Sequence, residues 1–297
     1  MKVLNFGSLN IDYVYSLDHF ARKGETISSD SLDIFSGGKG LNQSIALGRA
    51  GACVFHAGAV GSDGEFLIRL MEESGVDTRF VKRLDTVRTG NAIIQRNKAG
   101  DNCIILYGGA NRSITREQVD ETLKFFEAGD YLVLQNEINE MAYIMEAASK
   151  KGMKLVLNPS PMDEQMLSAP LSLVDLFLLN EIEAGQILGC ESTAVENGED
   201  LCAQLAKRFP DASIVLTLGE KGSIYMGQGE TICQSIYRTN TVDTTAAGDT
   251  FTGYFVSGIL KGLPVKEAMD LASKASSIAV SRLGAAPSIP CLKEVEG

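Results

Sequence analysis

The residues best suited to chemistry lie near the C-terminal end of the chain, where positions 243–251 read Asp-Thr-Thr-Ala-Ala-Gly-Asp-Thr-Phe. Phe251, Phe255 and Ile259 recur at helical spacing, and Gly262 and Pro264 end the pattern. Ala246, Ala247 and Gly248 therefore stand at a helix N-terminus. The first N–H groups there have no partner within the helix, and the helix dipole favours negative charge. Small side chains let those N–H groups reach an approaching oxyanion. An aspartate beside such an anion hole, Asp249, can take a proton from a hydroxyl while the N–H groups hold the charge of a transferring phosphoryl group. Dipole preference alone would explain one helix acid but not the run of small residues.

Other polar residues stand where apolar runs end. "LVLQNE" delivers Glu137, "FLLNEIE" delivers Asn180 and Glu183, and "VLTLGEKG" delivers Thr217 and Gly219. The first apolar run stops at Gly7-Ser8 and then offers Asn10 and Asp12. Any one of these could simply begin a loop; as a set they point to a site. The stretch "SGGKGLNQS" at 36–44 is glycine-rich and opens a helix, an arrangement that attracts anions or sugar hydroxyls, or else only makes a tight turn. It is not a Walker loop, and the first strand lacks the G-x-G-x-x-G fingerprint of a nicotinamide dehydrogenase. "TLGEKGSIYM" places a glycine-bounded turn between two β-like runs. It reads either as an ordinary hairpin or as backbone N–H groups laid against phosphate with Lys221 nearby.

Regular alternation positions these residues. Strands are expected at 131–135, 154–158 and 176–180 and in "SIVLTLG", with helices at 116–128, 139–151, 198–208, about 248–261 and 265–281. Such alternation predicts a parallel sheet covered on both faces, with ligands beyond the carboxyl ends of its strands. Residues 88–110 differ: two β-rich runs flank "NKAGDN", a hairpin signature, and 12–36 lacks a clear helix, so these two regions are read as a small separate sheet. The 297 residues are 44% hydrophobic and 22% charged, with a formal net charge of −11 that argues against a nucleic-acid partner. Two histidines, and six cysteines without a C-x-x-C pair, give zinc almost no support, and the cysteines read as small buried hydrophobes in a reducing compartment. There is no signal-peptide h-region and no run approaching the ~18 apolar residues of a membrane span, so a cytoplasmic protein without a membrane partner is expected.

Taken together, "GSLNID" (7–12), "GGKGLNQS" (37–44), "QNE" (135–137), "NEIE" (180–183), "TLGEKG" (217–222), "DTTAAGDTF" (243–251) and "GAAPSIP" (284–290) resemble the ribokinase, or phosphofructokinase B, family of sugar kinases over nearly the whole chain. The resemblance implies one kinase domain over 1–297. Its fold would be a three-layer α/β/α sandwich with a mostly parallel central sheet and a small β-sheet lid from about 12–36 and 88–110, through which two copies pair. It implies Asp249 as catalytic base with Ala246, Ala247 and Gly248 as anion hole. It implies sugar contacts from Asn10, Asp12, Gly38, Asn42 and Glu137, with Lys39 approaching the phosphates. Asn180 and Glu183 would stand near magnesium and the phosphates of ATP, Thr217, Gly219, Lys221 and Gly222 in the nucleotide loop, and Ser273 toward the adenine. Asp243, Thr245, Ala279, Arg282, Gly284 and Ser288 would hold an activating potassium ion, largely through carbonyl oxygens.

The expected reaction is ATP-dependent phosphorylation of O5 of D-ribose; the alternative is the same chemistry on fructose, deoxyribose, another pentose or a nucleoside. A sugar sensor that has lost catalysis predicts damage at Asp249 or Gly248, and both are intact. A purely structural protein would not need the ordered polar strand ends. Three features depart from the family pattern: Tyr254 and Leu41 replace small residues, and "YGGAN" at 107–111 is unusual wording for the lid region.

Overall fold

The computed structural model describes residues 1–190 and 198–297. Its strands are β1 (Val3–Phe6), β2 (Asn10–Ser16), β3 (Ser31–Gly37), β4 (Val54–Gly61), β5 (Asp77–Leu84), β6 (Gly90–Arg96), β7 (Asn102–Tyr107), β8 (Tyr131–Gln135), β9 (Lys154–Asn158), β10 (Leu176–Asn180), β11 (Ser213–Thr217), β12 (Ser223–Gly227) and β13 (Glu230–Gln234). The α-helices are α1 (Lys39–Arg49), α2 (Glu65–Glu73), α3 (Arg116–Leu123), α4 (Met141–Lys150), α5 (Glu164–Leu167), α6 (Glu181–Leu188), α7 (Gly198–Arg208), α8 (Ala247–Leu260), α9 (Val265–Val280) and α10 (Leu292–Glu296).

A nine-stranded sheet runs β13-β12-β11-β10-β9-β8-β1-β4-β5. It is parallel from β11 to β5, and β12 and β13 join antiparallel at one edge. Period-two alternation sorts its side chains into two cores. Val3, Val133, Val156, Leu178 and Val215 face one way and pack with Ile45 of α1 and Tyr254 and Phe255 of α8. Leu4, Phe6, Leu132, Leu134, Leu157 and Phe177 face the other way and pack with Val119, Ile144, Ile187 and Leu205. Both faces are thus covered by helices, giving the three-layer α/β/α sandwich.

A second sheet, β3-β2-β6-β7, is built from the two regions that lack the helical alternation. β2 runs antiparallel to β3 and parallel to β6, and β6 and β7 form the hairpin around 97–101. The sequence reading missed β5 and β13 and made α3 too long. Beyond Leu123 the chain tightens, with Phe125 N–H bonded to Thr122 O and Phe126 N–H to Leu123 O, which turns Phe126 into the core. Among the described residues no helix is long and apolar enough to cross a membrane.

Two close approaches set the geometry of the site. A Cβ at Gly253 would lie 2.3 Å from the Ala46 Cβ, so α8 crosses α1 almost backbone to backbone. A Cβ at Gly40 would lie 2.3 Å from the Ser8 nitrogen, which seats the start of α1 on the end of β1. Asn42 is one turn before Ala46 and Asp249 one turn before Gly253, so the two polar residues meet above the crossing.

Candidate active site

Asp249 lies in the first turn of α8 and is 5% exposed. Its Oδ2 accepts a hydrogen bond from Asn42 Nδ2 at 3.0 Å, and its Oδ1 one from Gln43 Nε2 at 2.9 Å. Both donors come from α1, and neither carries charge, so the carboxylate is held without an ion pair. Ala246 is the residue before the helix, and the Ala247 N–H is spent on Thr244 O at 3.2 Å. Gly248 is exposed, and a Cβ built there would meet no described heavy atom within 4 Å. A side chain at 248 would therefore fill open space over the first turn rather than collide with a neighbour. This answers why a glycine stands before the acid: it leaves a cradle at the positive end of the helix.

Glu137 follows β8 and accepts hydrogen bonds from the Ser8 hydroxyl and, at 2.8 Å, from the Lys39 N–H. Burial pushes its carboxyl above the usual range despite those donors. Asp12 on β2 is pushed up to about 6, first by burial and then by the neighbouring Glu137 charge. Its carboxylate lies over Gly37, where a Cβ would come within 2.2 Å of it. Asn10 is fixed by Asn111, whose Nδ2 donates to Asn10 Oδ1 at 2.7 Å and whose Oδ1 accepts from the Leu9 N–H at 3.0 Å. Gly38 sits at a φ of 96°, a conformation open to glycine, directly before α1. Burial opposes the charge on Lys39, but the negative charges of Asp249, Glu137 and Glu183 outweigh it and raise the ammonium's pKa above the usual value. Asn10, Asp12, Gly38, Lys39, Asn42, Glu137 and Asp249 thus form one cluster. Asn42 Oδ1 is a buried acceptor with no hydrogen-bond partner among the described residues.

A second group adjoins Lys39 through Glu183. Asn180 ends β10 and caps α6: its Oδ1 accepts from the Glu183 N–H at 2.9 Å, and Glu183 Oε2 accepts from the Asn180 N–H at 3.0 Å. This capping box satisfies two orphan donors and faces a carboxylate toward the helix start. Thr217 ends β11 directly opposite Asn180. Gly219 has a φ of 55° with no described heavy atom within 4 Å of a built Cβ, whereas a Cβ at Gly222 would lie 2.1 Å from Gln234 O. Lys221 is exposed. Ser273 donates to Ser235 O at 3.1 Å, tying α9 to the segment after β13.

The third group joins two loops. Asp243 Oδ1 accepts from both the N–H and the hydroxyl of Thr245, and Oδ2 accepts from the Gly284 N–H at 3.0 Å. Burial works against the Asp243 charge, but these donors outweigh it and hold its pKa below the usual value. Ser288 is buried and donates to Ala285 O at 2.7 Å; Ala279 is buried and its carbonyl accepts from the Arg282 N–H at 3.1 Å. The Arg282 side chain turns away to Glu294 at 2.7 Å. Arg49 Nη1 binds Ala286 O at 2.9 Å, and the Tyr254 hydroxyl binds Pro290 O at 2.7 Å. Tyr254 and Leu41 are both fully buried in the core beneath α1, so the two departures from small residues are packing features that do not enter the site.

Gln43, Ser8, Asn111 and Gln135 belong to the site but escaped the sequence reading. All four stood inside quoted stretches, and only their contacts distinguish them from their neighbours. Among the described residues no group of three or more His, Cys, Asp or Glu is placed to hold a metal ion.

The pfkB family carbohydrate kinase model matches residues 1–291. A ribokinase of Staphylococcus aureus (strain COL) is 35% identical over 300 residues, covering 99% of this chain and 98% of that protein. A deoxyribokinase of Salmonella typhi is 28% identical over 298 residues, covering 99% and 97%. A ribokinase of Cryptococcus neoformans var. grubii serotype A, solved in complex with ADP, superposes with a TM-score of 0.89 at 33% identity, covering 99% and 98%. A ribokinase of Arabidopsis thaliana, solved with ribose and ATP, superposes with a TM-score of 0.87 at 29% identity, covering 99% and 97%.

Proposed function

Because the chain belongs to the pfkB family of carbohydrate kinases, we propose that it phosphorylates O5 of D-ribose with Asp249 as general base. It is an ATP-dependent phosphotransferase acting on a sugar hydroxyl. The observation that carries the role of Asp249 is its seat in the first turn of α8, held by Asn42, with the Gly248 cradle beside it. The sugar lies among Asn10, Asp12, Gly38, Asn42 and Glu137. Asp12 and Glu137 accept hydrogen bonds from its hydroxyls, and a hydroxyl supplies the donor that Asn42 Oδ1 lacks. Asp249 takes the proton from O5 as that oxygen attacks the γ-phosphorus and the bond from phosphorus to the departing ADP breaks; with the Ala247 N–H spent on Thr244 O, the N–H groups of Ala246 and Gly248 hold the charge on the transferring oxygens.

The nucleotide fits the second group. Thr217, Gly219, Lys221 and Gly222 lie along its phosphates and Ser273 toward the adenine, while Lys39 stands between the sugar and phosphate sides. Asn180 and Glu183 would offer hard oxygens to magnesium, which when bound would supply neutralising charge at the phosphates. A potassium ion is suited to the carbonyl oxygens of the Asp243, Thr245, Ala279, Arg282, Gly284 and Ser288 loops, which Asp243 latches together. Residues 1–297 act as one kinase domain in the cytoplasm.

Two copies pair through the lid. On the face opposite Asp12, Ile34, Tyr13, Ile93 and Ile105 form one cross-strand row, and Ile34 and Ile105 are 55% and 57% exposed. An apolar row this open on a small sheet is suited to burial against a second copy.

Deoxyribose is the second reading, favoured by the full-length similarity to a deoxyribokinase. The test is ATP-dependent ADP release over a panel of sugars and nucleosides with magnesium and potassium present. The highest kcat/KM for ribose is expected. Preference for deoxyribose or a nucleoside would replace the substrate but keep the base, and absence of ADP release across the panel would contradict the activity.

A further inference from the structure

We propose that Gln43 is a positioning residue that fixes the direction of the Asp249 carboxylate through a one-way relay of buried amides. The inference rests on Asp249 being the base. Its foundation is strand alternation. Gln135 and Asn158 end β8 and β9, and Asn5 lies one residue before the end of β1, all on the face that also carries Val3, Val133 and Val156, the face covered by α1. A row of aliphatic side chains would pack there without difficulty, yet three primary amides stand in it and Gln43 descends from α1 into their midst with no exposure.

The hydrogen bonds run in one direction. Asn158 Nδ2 donates to Leu178 O at 2.9 Å, so its Oδ1 faces Gln43 and accepts from Gln43 Nε2 at 3.0 Å. Asn5 Nδ2 donates to Gly40 O at 2.8 Å and Ser44 Oγ at 2.9 Å, so its Oδ1 accepts from Gln135 Nε2 at 3.0 Å. The second N–H of Gln135 then meets Gln43 Oε1 at 2.6 Å. Main-chain carbonyls, which can only accept, anchor both branches. They converge on Gln43 and leave it one orientation: carbonyl toward Gln135, amino group toward Asn158 and Asp249. An inverted Gln43 would set its oxygen against the Asp249 carboxylate and the Asn158 oxygen while facing its N–H groups at a donor. Asp249 Oδ1 is therefore gripped from below by a donor that cannot turn away. Its Oδ2 is bonded to Asn42, whose remaining oxygen lies in the sugar cluster. A base pinned in this way presents the same lone pair to the hydroxyl at every turnover, which matters because small misplacements are costly in rate.

The test is Gln43→Met, which keeps length and volume and removes both donors. A kcat loss of about tenfold with sugar KM within about twofold is expected, because the residue acts through the base and touches no substrate. In the Asp249→Asn background the same change is expected to add nothing, which a merely structural role would not produce. Unchanged kcat in Gln43→Met, or an equal fold-loss in both backgrounds, would overturn the inference. Retained turnover in Asp249→Asn alone would instead remove the base assignment on which it stands. If Gln43→Met does not fold, Gln135→Met decides: it keeps Gln43 but removes the donor to its carbonyl, so the amide is held from one side only. A kcat loss of about threefold at unchanged KM is then expected, and unchanged kcat would overturn the relay.

Discussion

At the scale of single residues, Asp12 works against stability in order to bind. Its folded pKa of about 6 stands above the 3.8 of an exposed aspartate, because burial and Glu137 disfavour its charge. The folded state thus holds the proton more tightly than the unfolded chain. The contribution is favourable below about pH 4 and is lost as pH rises through 6. Asp12→Asn is expected to raise the melting temperature at pH 8, leave it nearly unchanged at pH 4, and weaken sugar binding by roughly tenfold or more. Thermal melts at the two pH values and sugar titrations check this; a variant that melts lower at pH 8 would contradict it. Asp12, Asn42, Glu137 and Asp249 were legible because each stands in or just after a glycine-bearing stretch or a break in apolar periodicity, while the resemblance implied the sugar contacts of Asp12, Asn42 and Glu137. Gln43 was not. Its carboxylate partner is 206 positions away, and nothing local separates a buried amide from a solvated one.

At the scale of elements, the α1–α8 crossing sets the spacing between sugar contacts and base. Gly253→Ala would force a Cβ to 2.3 Å from Ala46 and push the helices apart. A loss of about 1–3 kcal/mol in denaturant unfolding is expected, with kcat falling as the Asn42 and Gln43 bonds to Asp249 lengthen. Wild-type stability and turnover would contradict this account of the crossing. The loops latched by Asp243 make a second case. Exchanging potassium for sodium is expected to lower wild-type turnover, and Asp243→Ala to abolish the difference; a wild-type enzyme indifferent to the two ions would remove that role. The alternating strands and helices could be read from periodicity because each buries a regular face. β5 could not, since Arg79, Lys82 and Arg83 interrupt its apolar positions at the sheet edge. The early end of α3 is set by the need to bury Phe126, a tertiary demand that outweighs local pattern.

At the scale of the whole molecule, two sheets divide the work: the large one lines up polar strand ends, and the small one carries Asn10 and Asp12 over them. The small sheet was legible as something separate because helical spacing fails there. Its two-faced character was not, since β7 is apolar and exposed along its length, and only the register shows which residues oppose Asp12. Ile105→Lys on the outward face is expected to shift sedimentation from dimer toward monomer, whereas a wild-type protein monomeric at micromolar concentration would contradict pairing through the lid. The catalytic expectations depend on one group accepting the sugar proton. The measurement that bears on it most directly is Asp249→Asn, followed in parallel by turnover and by equilibrium binding of ribose. The account predicts a fall in kcat of about 100-fold or more with ribose affinity nearly intact. Near-normal turnover in that variant would contradict it.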